Sequence, residues 1–168
     1  MKKLTAIPTL ISSLRIVALP FFFLLYNQGN LILCLVLLVC CAASDFFDGY
    51  IARKLEVTSR FGSYYDAVTD FILTLGTFIF FYALGFYPIW LQLLISASFG
   101  QFLVTSFYSK RFYDPVGRYL GSALYIGIAL TLLWPMRIIF DFVQYAFVGL
   151  FLVSIASRIV SLTRKRKN

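Results

Sequence analysis

The 168-residue chain has no histidine, and only seven of its residues are acidic. Without imidazole, a general base has to be Asp, Glu, Lys or Tyr. Charged residues of all kinds make up 13% of the chain, where a soluble domain would carry about 25%, while 61% is hydrophobic. That deficit excludes an ordinary soluble domain. Cysteine is scarce too: Cys34, Cys40 and Cys41 all fall within one apolar run. They have no histidine to share a metal with, and an apolar run is a poor place for a structural disulfide, so they read as packing residues. There is no internal repeat, low-complexity segment or linker, and the length leaves no room for a second domain.

What is present in abundance is apolar sequence in long stretches. Six can be drawn, at roughly 8–26, 31–52, 62–84, 88–108, 117–134 and 142–163. Each is near the ~20 residues needed to cross the hydrocarbon core, and lipid leaves helix as the only conformation for such a span. The expected fold is therefore an all-α integral membrane protein, a six-transmembrane-helix bundle forming one domain over 1–168. Asn27-Gln28-Gly29-Asn30, Gly85-Phe86-Tyr87-Pro88 and the stretch from Trp134-Pro135 to Asp141 are the expected breaks on one side. Lys2 and Lys3 before an apolar stretch imitate a signal peptide, but Arg15 interrupts it and no small-residue cleavage site follows, so the N-terminus is expected to remain.

The net charge of +8 lies in the loops. Lys2, Lys3, Arg53, Lys54, Arg60, Lys110, Arg111, Arg118, Arg164, Lys165, Arg166 and Lys167 flank one set of segment ends, and the opposite loops hold only Arg137. This reads as membrane orientation and attraction to anionic lipid rather than nucleic-acid binding, and it puts both termini in the cytoplasm. Tyr26, Tyr87, Trp90 and Trp134 at the other ends suit an interfacial aromatic belt.

Four of the seven acids are aspartates of a single stretch, Asp45, Asp48, Asp66 and Asp70. Carboxylates at membrane depth are costly unless paired, metal-bound or facing a wet cavity, so they are functional candidates. Asp45 and Asp48 are three apart, Asp66 and Asp70 four apart, so each pair shares a helix face. At the helical rise, Asp48 and Asp45 lie roughly 7 and 12 Å below Arg53, and Asp66 and Asp70 roughly 9 and 15 Å below Arg60. Two antiparallel helices joined by the intervening loop would bring all four to one level. Oxygen donors without histidine suit a hard cation such as Mg²⁺, Mn²⁺ or Ca²⁺, and two such ions could clamp a diphosphate. Arg53 could place a guanidinium fork on phosphate, and Gly49, Ala52 and Gly62 leave room for a ligand near the backbone.

The order D-x2-D-G-x2-A-R-x8-G-x3-D-x3-D, from Asp45 to Asp70, resembles the signature of the CDP-alcohol phosphatidyltransferases at every position. The resemblance implies a transferase that moves a phosphatidyl group from a CDP-linked lipid such as CDP-diacylglycerol to a polar alcohol, releasing CMP. It implies Asp45, Asp48 and Asp66 on the metal (Mg²⁺ or Mn²⁺), Asp70 as base and part of the same metal cluster, and Gly49, Ala52, Arg53 and Gly62 against the CDP group. It further implies a homodimer, with the site facing the cytoplasm of a bacterial or archaeal membrane.

The opening, Ile7 to Arg15, resembles phosphatidylglycerophosphate synthases, with Thr9 where those usually carry Asn. The pattern departs again at Asp66-Ala67-Val68-Thr69-Asp70-Phe71, where those enzymes show Asp-Pro-Leu-Ala-Asp-Lys, and at Gly117-Arg118 in place of Gly-Lys. Glycerol 3-phosphate is the first expectation for the acceptor; inositol phosphate, serine or another alcohol stay open. Arg111, Arg118 and Arg15 are candidates for binding a phosphorylated acceptor. Arg15 either snorkels to the cytoplasmic edge or lines the same cavity as the aspartates. From a different class, a small divalent-cation transporter could use the same acids as its ion site.

Overall fold

A computed structural model describes the backbone of residues 6–54, 60–109 and 115–167, and side chains at 13–44, 62, 64–104 and 119–157. The described residues form six helices and no strand: α1 (Ala6–Asn27), α2 (Leu31–Lys54), α3 (Arg60–Ala83), α4 (Ile89–Ser109), α5 (Pro115–Leu133) and α6 (Arg137–Lys167). Two of the expected breaks form for a stated local reason. Gly29 and Gly85 adopt φ of 77° and 78°, the left-handed conformation that favours glycine. In each, the glycine N–H donates three residues back, to Tyr26 and Tyr82, and the next N–H donates five back, to Leu25 and Phe81. That double bond pattern is the Schellman cap, which satisfies the last carbonyls of α1 and α3.

The third break is shorter than the sequence suggests. α6 starts at Arg137, five residues before the expected 142, and continues to Lys167. Asp141 looks like a loop residue in a membrane sequence, but within the helix it accepts a bond from Gln144 Nε2 at 2.9 Å, one turn on. Phe140, Val143 and Phe147 are buried, so the inward face begins before the acid does. α6 also ends four residues past the expected 163; at all other boundaries the helices and the expected segments agree to within two residues.

The chain divides into two compact units, one ending at Phe80 and the other beginning at Phe81. In the first, α1 packs along α2, with Ala18, Phe22, Cys34, Leu38 and Cys41 buried. α1 also meets α3: Phe23 stacks on Phe80 at 4.6 Å, and Tyr26 meets the same ring edge-on. In the second unit α6 packs against α5 and α4. Its core contains Leu91, Ile95, Ile128 and Leu132, closed at one end by Tyr87 and Phe140. Thr131 donates its hydroxyl to the Gly127 carbonyl, so Tyr87 is the donor in their 2.6 Å contact. Burial pushes the Tyr87 phenol up to about 12, outweighing the lowering effect of Thr131, and the proton that makes this bond therefore stays in place at neutral pH.

Tyr64–Ala83 and Arg137–Ser157 are long and apolar enough to cross a membrane. Outward faces of the helices carry large apolar side chains, with Ile32 80% and Ile138 78% exposed. Apolar surface on this scale is unusual for a protein whose solvent is water and points to association with lipid. Cys34 and Cys41 are buried and Cys40 is exposed, all three unbridged.

Candidate active site

α3 carries Gly62, Asp66 and Asp70 at four-residue intervals, so all three occupy one face of the helix. Asp66 and Asp70 are partly open, their side chains 33% and 28% exposed. The next residues inward are hydroxyl-bearing. Thr69 donates to the Asp66 carbonyl and Thr74 to the Asp70 carbonyl, both at 2.8 Å. Thr77 donates to Leu73. These bonds back onto the helix let buried threonines satisfy themselves without drawing on the carboxylates.

The cation that meets these acids comes from α1. Leu14 and Ile16 point outward, whereas Arg15 between them is 1% exposed. Its Nη1 donates to Oδ1 of Asp66 at 2.8 Å and to Oδ1 of Asp70 at 2.7 Å. Both distances fall within the range of charge-assisted bonds. A guanidinium at such depth is tolerable only with negative charge beside it. Of the two expectations for Arg15, these contacts match placement beside the aspartates.

Two further contacts fix this arrangement. The hydroxyls of Ser13 and Tyr65 lie 2.7 Å apart, tying α1 to α3 beside Asp66. Gly76 lies against Leu19: a Cβ there would sit 2.6 Å from Leu19 Cδ2, so the absence of a side chain permits the close approach of α1 and α3. On α2, Cys41 is buried.

Tyr65 had no part in the expectations from sequence. The available signal was a phenol next to Asp66 in an apolar stretch, since a half-buried hydroxyl there needs a partner.

The other expected site residues are less fully described. Asp45, Asp48, Gly49, Ala52 and Arg53 lie on α2, but their side chains are outside the described residues. Arg118 lies on α5 with its side chain likewise outside them, and Arg111 falls outside them altogether. Among the described residues no group of three or more His, Cys, Asp or Glu gathers; Asp66 and Asp70 supply two carboxylates. In type these suit a hard divalent cation. The helical register of α2 puts positions 45 and 48 four and seven residues beyond Cys41, in the i, i+4, i+7 series of one helix face.

The family model for CDP-alcohol phosphatidyltransferase matches residues 5–164. The chain belongs to the CDP-alcohol phosphatidyltransferase family. Among its relatives are proteins named CDP-diacylglycerol–glycerol-3-phosphate 3-phosphatidyltransferase from Yersinia enterocolitica and Pectobacterium atrosepticum, each 37% identical over 70 residues. The counterpart from Sodalis glossinidius is 36% identical over the same length. These matches span 40% of this chain and 38% of each relative. Within the family frame, the Asp66–Asp70 face of α3 is the second half of the signature, and Arg15 is a residue outside the signature that contacts it directly.

Proposed function

We propose that this protein transfers a phosphatidyl group from CDP-diacylglycerol to a polar alcohol, with glycerol 3-phosphate as the first choice, and releases CMP. The observation that carries the proposal is the half-open Asp66–Asp70 pair, on one face of α3 beside a buried cation, inside a signature whose family is known. Family membership favours this over a cation transporter.

In the reaction, the acceptor's hydroxyl oxygen bonds to the phosphatidyl phosphorus while the bond from that phosphorus to the bridging diphosphate oxygen breaks. The bridging oxygen leaves on CMP, and Asp70 takes the hydroxyl proton. Asp45, Asp48, Asp66 and Asp70 would hold Mg²⁺ or Mn²⁺, in one or two ions, which when bound supplies positive charge to the diphosphate and the leaving oxygen. Arg53 clamps phosphate, and Gly49, Ala52 and Gly62 admit the nucleotide near the backbone. Arg111 and Arg118 bind the phosphate of the acceptor through guanidinium forks.

The proposal includes a multi-pass membrane location with the site on the cytoplasmic face. Lipid tails then stay in the bilayer while the nucleotide and acceptor come from water. It also includes a homodimer; a monomer in both mild detergent and nanodiscs would contradict that part.

The acceptor is tested by incubating the purified protein with CDP-diacylglycerol, Mn²⁺ and separate acceptors, and reading product lipids by mass. Phosphatidylglycerophosphate is the expected product. A product formed only with inositol phosphate or serine would keep the reaction and reassign the acceptor. No product with any alcohol would sink the proposal.

A further inference from the structure

Arg15 has more holding it than a role at the acceptor would need. Its side chain is 1% exposed, and one nitrogen bridges two carboxylates that stand a helical turn apart. The Ser13–Tyr65 hydroxyl contact braces it on one side, and the Leu19–Gly76 contact on the other. A guanidinium enclosed like this would have to release both aspartates to reach an acceptor arriving from water. Two carboxylates so close repel each other unless a cation lies between them, and breaking a buried ion pair leaves an uncompensated charge.

We propose that Arg15 is the built-in counter-cation of Asp66 and Asp70, a positioning residue that holds the pair together when no divalent cation is bound. The protein then folds without its metal, and the two carboxylates are already in place when a divalent cation arrives. An ionised carboxylate offers about four acceptor sites, so Arg15 and a metal can share each one. The metal half of this inference rests on the proposed function; the counter-cation half stands on the geometry alone.

The test is thermal unfolding in EDTA, and in Mg²⁺ or Mn²⁺, for four proteins: wild type, Arg15→Met, Asp66→Asn with Asp70→Asn, and all three changes together. In EDTA, Arg15→Met should melt on the order of 5–10 °C below wild type. The same change in the Asn background should cost little, because no negative charge is left to compensate. Mn²⁺ should restore most of the loss in Arg15→Met and none in the Asn background. An equal loss in both backgrounds would make Arg15 a packing residue and overturn the proposal. If the loss depends on the aspartates but no metal restores it, the counter-cation assignment is supported and the metal assignment of the proposed function fails. Should Arg15→Met not fold, Arg15→Lys is expected to show a smaller loss with the same dependence on Asp66 and Asp70, and a loss independent of them would again overturn it.

Discussion

Asp66 and Asp70 have the same neighbour, the same helix face and nearly the same exposure, yet the proposed chemistry gives them different tasks. Asparagine at either position keeps the shape and loses the negative charge. Asp70→Asn is expected to lower kcat by about 10²- to 10⁴-fold, the usual contribution of a general base, while CDP-lipid binding stays within a few-fold. Asp66→Asn should weaken metal and nucleotide binding as well. Single-turnover rates beside a lipid-binding titration separate the two, and near-normal kcat in Asp70→Asn would remove the general-base assignment. Arg118→Ala, and to a smaller degree Arg111→Ala, should raise KM for a phosphorylated acceptor. Losing a charge-assisted contact of ~2–3 kcal/mol corresponds to roughly a 30- to 150-fold fall in kcat/KM. Unchanged acceptor kinetics in both would place acceptor binding elsewhere.

At the scale of helices, the site depends on how closely α1 and α3 approach. Their contacts run in order along both helices: Ser13 with Tyr65, Arg15 with Asp66 and Asp70, Leu19 with Gly76, and Phe23 and Tyr26 with Phe80. Gly76 leaves the space that the end of Leu19 fills. Alanine there displaces only the flexible end of Leu19 and gains helix propensity, so Gly76→Ala should change stability by less than about 1 kcal/mol. Gly76→Leu has no such escape and should cost about 1–3 kcal/mol. By wedging α1 away it should also weaken the Arg15 bonds, so activity would fall further than stability. A denaturation series with matched activity assays checks both, and full activity in Gly76→Leu would show that this seam does not support the site.

The seam also marks where the sequence stops being legible. The spacing of Asp66 and Asp70 already put them on one face, and the breaks in apolar sequence at 27–30 and 85–88 placed two helix ends to within a residue. The partner of the acids could not be chosen that way. Arg15 is far from them in sequence, and a single arginine near a segment end suits snorkelling equally well. Tyr65 was hidden for a similar reason, since nothing local says which helix supplies its hydroxyl partner. Asp141 misled in the opposite direction: a charge in an apolar sequence reads as a loop until Gln144 is seen to donate to it from one turn later.

For the whole molecule, the proposed reaction needs a lipid and a water-soluble acceptor to meet at one face of the membrane. Twelve Lys and Arg gather at one set of segment ends, and the proposed arrangement puts those ends in the cytoplasm by the positive-inside rule. Reporter fusions at the two termini should both report a cytoplasmic location. A reporter active on the opposite side at either end would contradict the six-span arrangement.

In the proposed reaction the aspartate cluster uses a divalent metal to pass a phosphatidyl group from a CDP-lipid to an alcohol. Release of CMP by purified protein, supplied with CDP-diacylglycerol and glycerol 3-phosphate, tests it most directly. The expected result is CMP release that requires Mg²⁺ or Mn²⁺, stops in EDTA, returns when metal is added back and is absent from Asp70→Asn. CMP release that continues undiminished in EDTA, or in Asp70→Asn, would contradict it.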